Sequence, residues 1–123
     1  MNKKILVIDD NQDDLEIMKE CLNQAGYDEI FFSESGEEGV KKAEEEAPDV
    51  VIIDTNMSGV NGFETCKRIK SFEKIKTKVI MITGFIDAFD AGKAREVGAD
   101  DYVIKDASFV DLIEAVHNLF DSK

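Results

Sequence analysis

The sequence predicts an α/β fold: five strand–helix units forming a doubly wound parallel sheet with helices on both faces. Two observations carry this prediction. Short, unbroken apolar runs recur along the chain, and "VVII" (Val50–Ile53) is representative. It shows no polar alternation, so both faces of the strand are expected to be buried, as in a parallel sheet covered by helices. Segments of helical period separate the runs, and that alternation implies right-handed crossovers.

The elements follow in order. The first strand, Ile5–Ile8, precedes a helix with Leu15, Met18, Leu22 and Ala25 on one face, stopped by the glycine of "AGY". The second strand, Ile30–Phe32, precedes a weaker face of Gly39, Val40, Ala43 and Ala47. "APD" closes that helix, because Pro48 pushes residue 47 out of helical conformation. The third strand, Val50–Ile53, precedes Phe63, Cys66, Ile69 and Lys70. The fourth, Val79–Ile82, precedes Ala91, Ala94 and Val97, with a glycine stop in "VGAD". The last, Tyr102–Ile104, precedes Val110, Ile113, Val116 and Phe120.

A chain of 123 residues suits one domain with one core. At 43% hydrophobic and 34% charged residues, the composition is globular. The longest apolar runs are four residues, far short of a membrane span. The opening "MNKKILVIDD" is closed by two aspartates and reads as a strand, not a signal peptide. A cytoplasmic protein is expected. Cys21 and Cys66 lie far apart within helical stretches and read as reduced core residues. A single histidine and no CxxC argue against a zinc or haem site. The net charge of −12 would repel a nucleic-acid backbone. One basic stretch carries six cations from Lys67 to Lys78, read as a solvated face with partner docking as the alternative.

The chemistry is concentrated where strands end. The first ends in Asp9-Asp10, the third in Asp54, the fourth in Thr83 with Gly84 next, and the fifth in Lys105. Open parallel sheets bind ligands beyond the carboxyl ends of their strands. A lone strand-end aspartate is ordinarily a turn or cap residue. Four strand ends delivering carboxylates, a hydroxyl and an ammonium to one rim form a site. Crowded carboxylates repel unless a cation is present, and oxygen-only ligands suit Mg²⁺, which takes one or two carboxylates and keeps several waters. Phosphoryl transfer requires little more than such positioning and charge neutralisation, and an aspartate can be the covalent acceptor.

In this ordered spacing of Asp9-Asp10, Asp54, Thr83, Tyr102 and Lys105, the chain resembles a response-regulator receiver domain, the CheY-like fold. "DTNMSGVNG" (Asp54–Gly62) is similar to the family's D-x-x-M-P-x-x-x-G, and "VGADDYVIK" (Val97–Lys105) to its G-A-x-x-[YF]-[LIV]-x-K. The resemblance implies strand order 2-1-3-4-5 and a single receiver domain over residues 1–123. It implies Asp54 as phosphoacceptor, with Mg²⁺ held by Asp10, by Asp9 largely through water, by Asp54 and by the Asn56 backbone carbonyl. Lys105 would pair with the phosphate. Thr83 and Tyr102 would form a switch, Tyr102 rotating inward from a more exposed position to reshape the surface of the fourth helix, fifth strand and fifth helix. Expected partners are a sensor histidine kinase or phosphotransfer protein and a downstream effector, with no direct nucleic-acid or membrane binding. Beyond its own phosphoryl uptake and slow loss, no enzymatic turnover is implied.

Three positions depart from the pattern. Ser58 replaces the usual proline, Asp106 stands where the family has proline in a cis peptide, and Phe85 lies two residues past Thr83. Asp106 adds negative charge near the site, and Phe85 falls near the path of an attacking water. Other readings are a pseudo-receiver used only for docking, a flavodoxin-like cofactor binder and a haloacid-dehalogenase-type phosphatase. The acidic rim disfavours a flavin phosphate. The phosphatase would need a carboxylate where Asn56 stands.

Overall fold

The computed structural model describes residues 3–57, 59–106 and 108–121, so Ser58 lies outside the described residues. The chain alternates β1 (Lys4–Ile8), α1 (Gln12–Gln24), β2 (Glu29–Ser33), α2 (Gly36–Glu46), β3 (Val50–Asp54), α3 (Gly62–Lys70), β4 (Lys78–Thr83), α4 (Ala88–Glu96), β5 (Asp101–Ile104) and α5 (Val110–Asp121). All strand pairs are parallel, in the order β2-β1-β3-β4-β5. This is the predicted fold.

The two-residue period of a strand splits the interior into two cores. Ile5, Val7, Val50, Ile52, Ile80 and Ile82 face α1 and α5, meeting Met18, Leu22, Leu112 and Val116. The alternate residues Leu6, Ile8, Val51, Ile53, Val79 and Met81 face the other helices, meeting Ala43, Cys66, Ile69 and Ala94. Every residue from Val50 to Asp54 is buried, as the lack of polar alternation predicts. A buried aliphatic side chain contributes about 1.5–3 kcal/mol, so these two layers fix the plane from which the rim projects.

Local signals bound the helices, and the glycine stops fall where expected. Asn11, Ser35, Asn61 and Asp87 accept hydrogen bonds from first-turn N–H groups of α1 to α4. Gly26 and Gly98, with φ of 102° and 94°, take the left-handed conformation after α1 and α4. Ala47 leaves the helix at φ 48°, but it is exposed and does not extend the buried face of α2. A larger correction concerns α5. Val110 is 54% exposed, and the buried stripe is Leu112, Ala115 and Val116, with Ile113 and Phe120 only flanking it. The polar residues between Val110 and Phe120 fit either register, and the sheet decides. In α4 only Ala94 is buried. Both cysteines are free thiols, and burial pushes Cys66 up to about 11.

Candidate functional site

β1 and β3 run side by side, with Ile8 opposite Ile53, so Asp9 and Asp54 leave the sheet as neighbours. Asp9 continues β1 by donating its N–H to the Ser33 carbonyl at 3.1 Å. Its side chain is completely buried, and Oδ1 accepts the Asn11 N–H at 2.9 Å. Asp54 makes the equivalent local turn, Oδ1 accepting the Asn56 N–H at 3.0 Å. Only glycine fits the start of α3, because a Cβ on Gly62 would overlap the Asp54 carbonyl oxygen. That close approach holds the β3 terminus against the helix. Ligand oxygens of Asp9, Asp10 and Asp54 all lie within 4.8 Å of one another. Asp10 is exposed, whereas the other two are buried.

Lys105 reaches this cluster from β5, anchored by its N–H to the Thr83 carbonyl at 2.6 Å. Its Nζ stands 2.7 Å from Asp9 Oδ2, 3.1 Å from Asp54 Oδ2 and 2.7 Å from Asp14 Oδ2. The Asp9 contact is an ion pair without the alignment of a good hydrogen bond, so Oδ2 is buried with its hydrogen-bonding capacity unfilled. Burial raises the Asp9 carboxyl from 3.8 to about 6, against the opposing Lys105 ion pair and Asn11 hydrogen bond and with help from the nearby Asp54 charge. Burial acts to lower Lys105, but Asp14, Asp9 and Asp54 outweigh it and hold the ammonium above its ordinary value. One cation divided among three carboxylates is over-compensated, and each carboxylate is under-compensated. The oxygen-only donors, excess negative charge and unfilled Asp9 Oδ2 fit a hard divalent cation such as Mg²⁺.

The remaining expected residues are placed less simply. Thr83 is buried at the end of β4, but its hydroxyl donates to the Phe85 carbonyl at 2.9 Å and accepts the Phe85 N–H at 3.2 Å. It is turned into its own loop. Tyr102 is already half-buried and packs against the second core. Its hydroxyl is buried and, among the described residues, has no hydrogen-bond partner. The ring thus starts from a partly buried position. Phe85 is 76% exposed. Asp106 uses Oδ1 to accept the Val110 N–H at 3.1 Å, capping the start of α5, and no cis peptide occurs among the described residues.

Asp14 is the member of the Lys105 constellation that sequence reasoning missed. Two acids in a first helical turn read as complements to the helix dipole. A signal was nevertheless present: Asp14 lies one turn before buried Met18, whereas Asp13 lies one turn before Ile17, which is 42% exposed.

The response regulator receiver domain family matches residues 5–117. The alkaline phosphatase synthesis transcriptional regulatory protein PhoP of Bacillus subtilis is 40% identical over 105 residues, covering 85% of this chain and 43% of that protein. The chain thus spans less than half the length of that relative. Vibrio cholerae chemotaxis protein CheY4 superposes with a TM-score of 0.90 at 27% identity, covering 97% of this chain and 99% of that one. A BeF3-activated DrrB receiver domain gives a TM-score of 0.84 at 33% identity, covering 98% and 99%. DrrB is described as a Thermotoga maritima OmpR/PhoB homologue.

Proposed function

The chain belongs to the response regulator receiver family, and from that premise we propose that it takes a phosphoryl group onto Asp54 and relays the change to a partner. The observation that supports this most directly is the shared cluster: Lys105 within 3.1 Å of Asp54 and 2.7 Å of Asp9, beside three carboxylates whose oxygens lie within 4.8 Å. Asp9, Asp10, Asp54 and the Asn56 carbonyl would hold Mg²⁺. When bound, the ion neutralises charge on the transferring phosphoryl oxygens.

The chain's own groups supply the rest. An Asp54 carboxylate oxygen attacks phosphorus and forms the new P–O bond. The donor's P–N bond breaks if it is a kinase phosphohistidine, or its P–O bond if it is an acyl phosphate, and the electron pair leaves with the imidazole or carboxylate. The Asn56 N–H orients the carboxylate, and Lys105 pairs with the phosphoryl oxygens. Such positioning and charge neutralisation suffice for this transfer. The donor would be a sensor histidine kinase, a phosphotransfer protein or a small acyl phosphate. The recipient of the signal would be an effector or target protein.

The switch follows from two hydroxyls. The phosphoryl group offers new acceptors, and Thr83 would exchange the Phe85 carbonyl for one of them. An unfilled buried hydroxyl costs about 1–3 kcal/mol, which makes Tyr102 the group most easily moved on the neighbouring strand. Its displacement would reshape the surface of α4, β5 and α5. A shift from 1:99 to 99:1 needs about 5.5 kcal/mol, more than one charge-assisted hydrogen bond provides, so Lys105 must contribute. Incubation with acetyl phosphate and Mg²⁺ is expected to add one phosphoryl group by intact mass, and Asp54→Asn to add none. Equal uptake by the variant overturns the assignment.

A further inference from the structure

Lys105 has three carboxylate partners, and they differ in what a divalent cation would do to them. Asp9 and Asp54 belong to the cluster whose oxygens could share an ion. Asp14 lies outside that cluster, yet it contacts Nζ as closely as Asp9 does, at 2.7 Å. A cation arriving between Asp9 and Asp54 neutralises the very charges that hold Lys105 and places a second positive centre beside it. Without another acceptor, a side chain only 13% exposed would face the ion unpaired. Burying an unpaired charge is costly.

We propose that Asp14 is a positioning residue that keeps hold of Lys105 when a divalent cation arrives, releasing Asp9 and Asp54 to face the metal. The proposal rests on the Mg²⁺ site advanced above, but not on Asp54 becoming phosphorylated. Asp14 comes from α1 and Lys105 from the end of β5, so the tie joins two separate elements. Lys105 has three N–H donors. With one on Asp14, its ammonium stays close to the Asp54 oxygen and retains donors for an incoming phosphoryl group. The chain would thus leave Asp14 as the lysine's counter-ion when Asp9 and Asp54 turn to the metal, instead of expelling the lysine.

The test is the Mg²⁺ dissociation constant of the whole chain, read from amide shifts of residues 9–11 and 55–56 with Mg²⁺ alone. Asp14→Asn is expected to weaken binding about fivefold, the scale of one partly buried ion pair. Asp13→Asn removes the same formal charge from the same helical turn and controls for the general field, with an expected change below about twofold. In a Lys105→Gln background, Asp14→Asn should fall to the level of Asp13→Asn, because the residue acts through the lysine. Asp14→Glu should recover part of the affinity. Equal effects of Asp14→Asn and Asp13→Asn, an undiminished effect in the Lys105→Gln background, or no Mg²⁺ binding by the unmodified chain each overturns the proposal. The expected affinity pattern in a chain that takes no phosphoryl group would uphold the role of Asp14 while removing the phosphoacceptor reading. Normal phosphoryl uptake with indistinguishable Asp14 and Asp13 variants would do the reverse.

Discussion

Two lysine–aspartate constellations lie at opposite ends of the same sheet. At the amino ends of β4 and β5, Lys70 donates to Asp100 Oδ2 at 2.8 Å and to the Thr77 carbonyl at 3.0 Å, and the same Asp100 oxygen accepts the Val79 N–H at 2.8 Å. One cation meets one anion, the spare donors and acceptors are backbone, and both side chains are about one-quarter exposed. At the carboxyl ends, Lys105 meets three carboxylates, one of them fully buried. The first arrangement is complete and therefore structural. The second is incomplete by charge, and only something positive can complete it. Charge balance and burial, more than the presence of a lysine and an aspartate, separate a tie from a site.

The largest expected contrast lies between the two lysines. Lys105→Ala should slow phosphoryl uptake from acetyl phosphate about a hundredfold, the scale of losing one preorganised donor to a developing charge. Lys70→Ala should stay within about twofold, since it lies at the other end of the sheet. Comparable losses in timed intact-mass measurements would erase the distinction.

A second contrast uses pH. The folded chain holds a proton on Asp9 up to about 6, whereas the unfolded chain releases it near 3.8. Between those values the folded state binds more protons, so Asp9 makes metal-free stability fall as pH rises through that window and then level off. Asp9→Asn should flatten this limb and, above about pH 7, make the metal-free protein more stable by about 3 kcal/mol. Urea unfolding across the window reads both. Saturating Mg²⁺ should reverse the slope in the unmodified protein, because the metal requires the deprotonated carboxylate.

The smallest effect belongs to the balanced end. Asp100→Ala leaves the buried Val79 N–H without its side-chain acceptor. It should cost about 1–2 kcal/mol at every pH from 5 to 8, without altering phosphoryl uptake. A change in uptake would show that the two ends are coupled through β4 and β5.

Much of this was legible in one dimension, for local reasons. Continuous apolar runs such as Val50–Ile53 read as strands buried on both faces, which put the residues just beyond the strands, Asp9, Asp54, Thr83 and Lys105, on one rim. Helix stops announced themselves through Gly26, Pro48 and Gly98, because each acts on the backbone within a few residues. The tertiary structure decided what depends on distance and direction. It turned α5 so that Leu112 and not Val110 faces the sheet, since that helix has apolar residues on more than one side. It swung the Thr83 hydroxyl into its own loop and sealed the Tyr102 hydroxyl away from partners, outcomes of side-chain rotation that no spacing encodes. It also brought Asp14 to Lys105 across most of the chain. Asp13 and Asp14 are identical letters in adjacent positions. Only the rotation of α1 against the sheet, about 100° per residue, determines which of them meets the lysine.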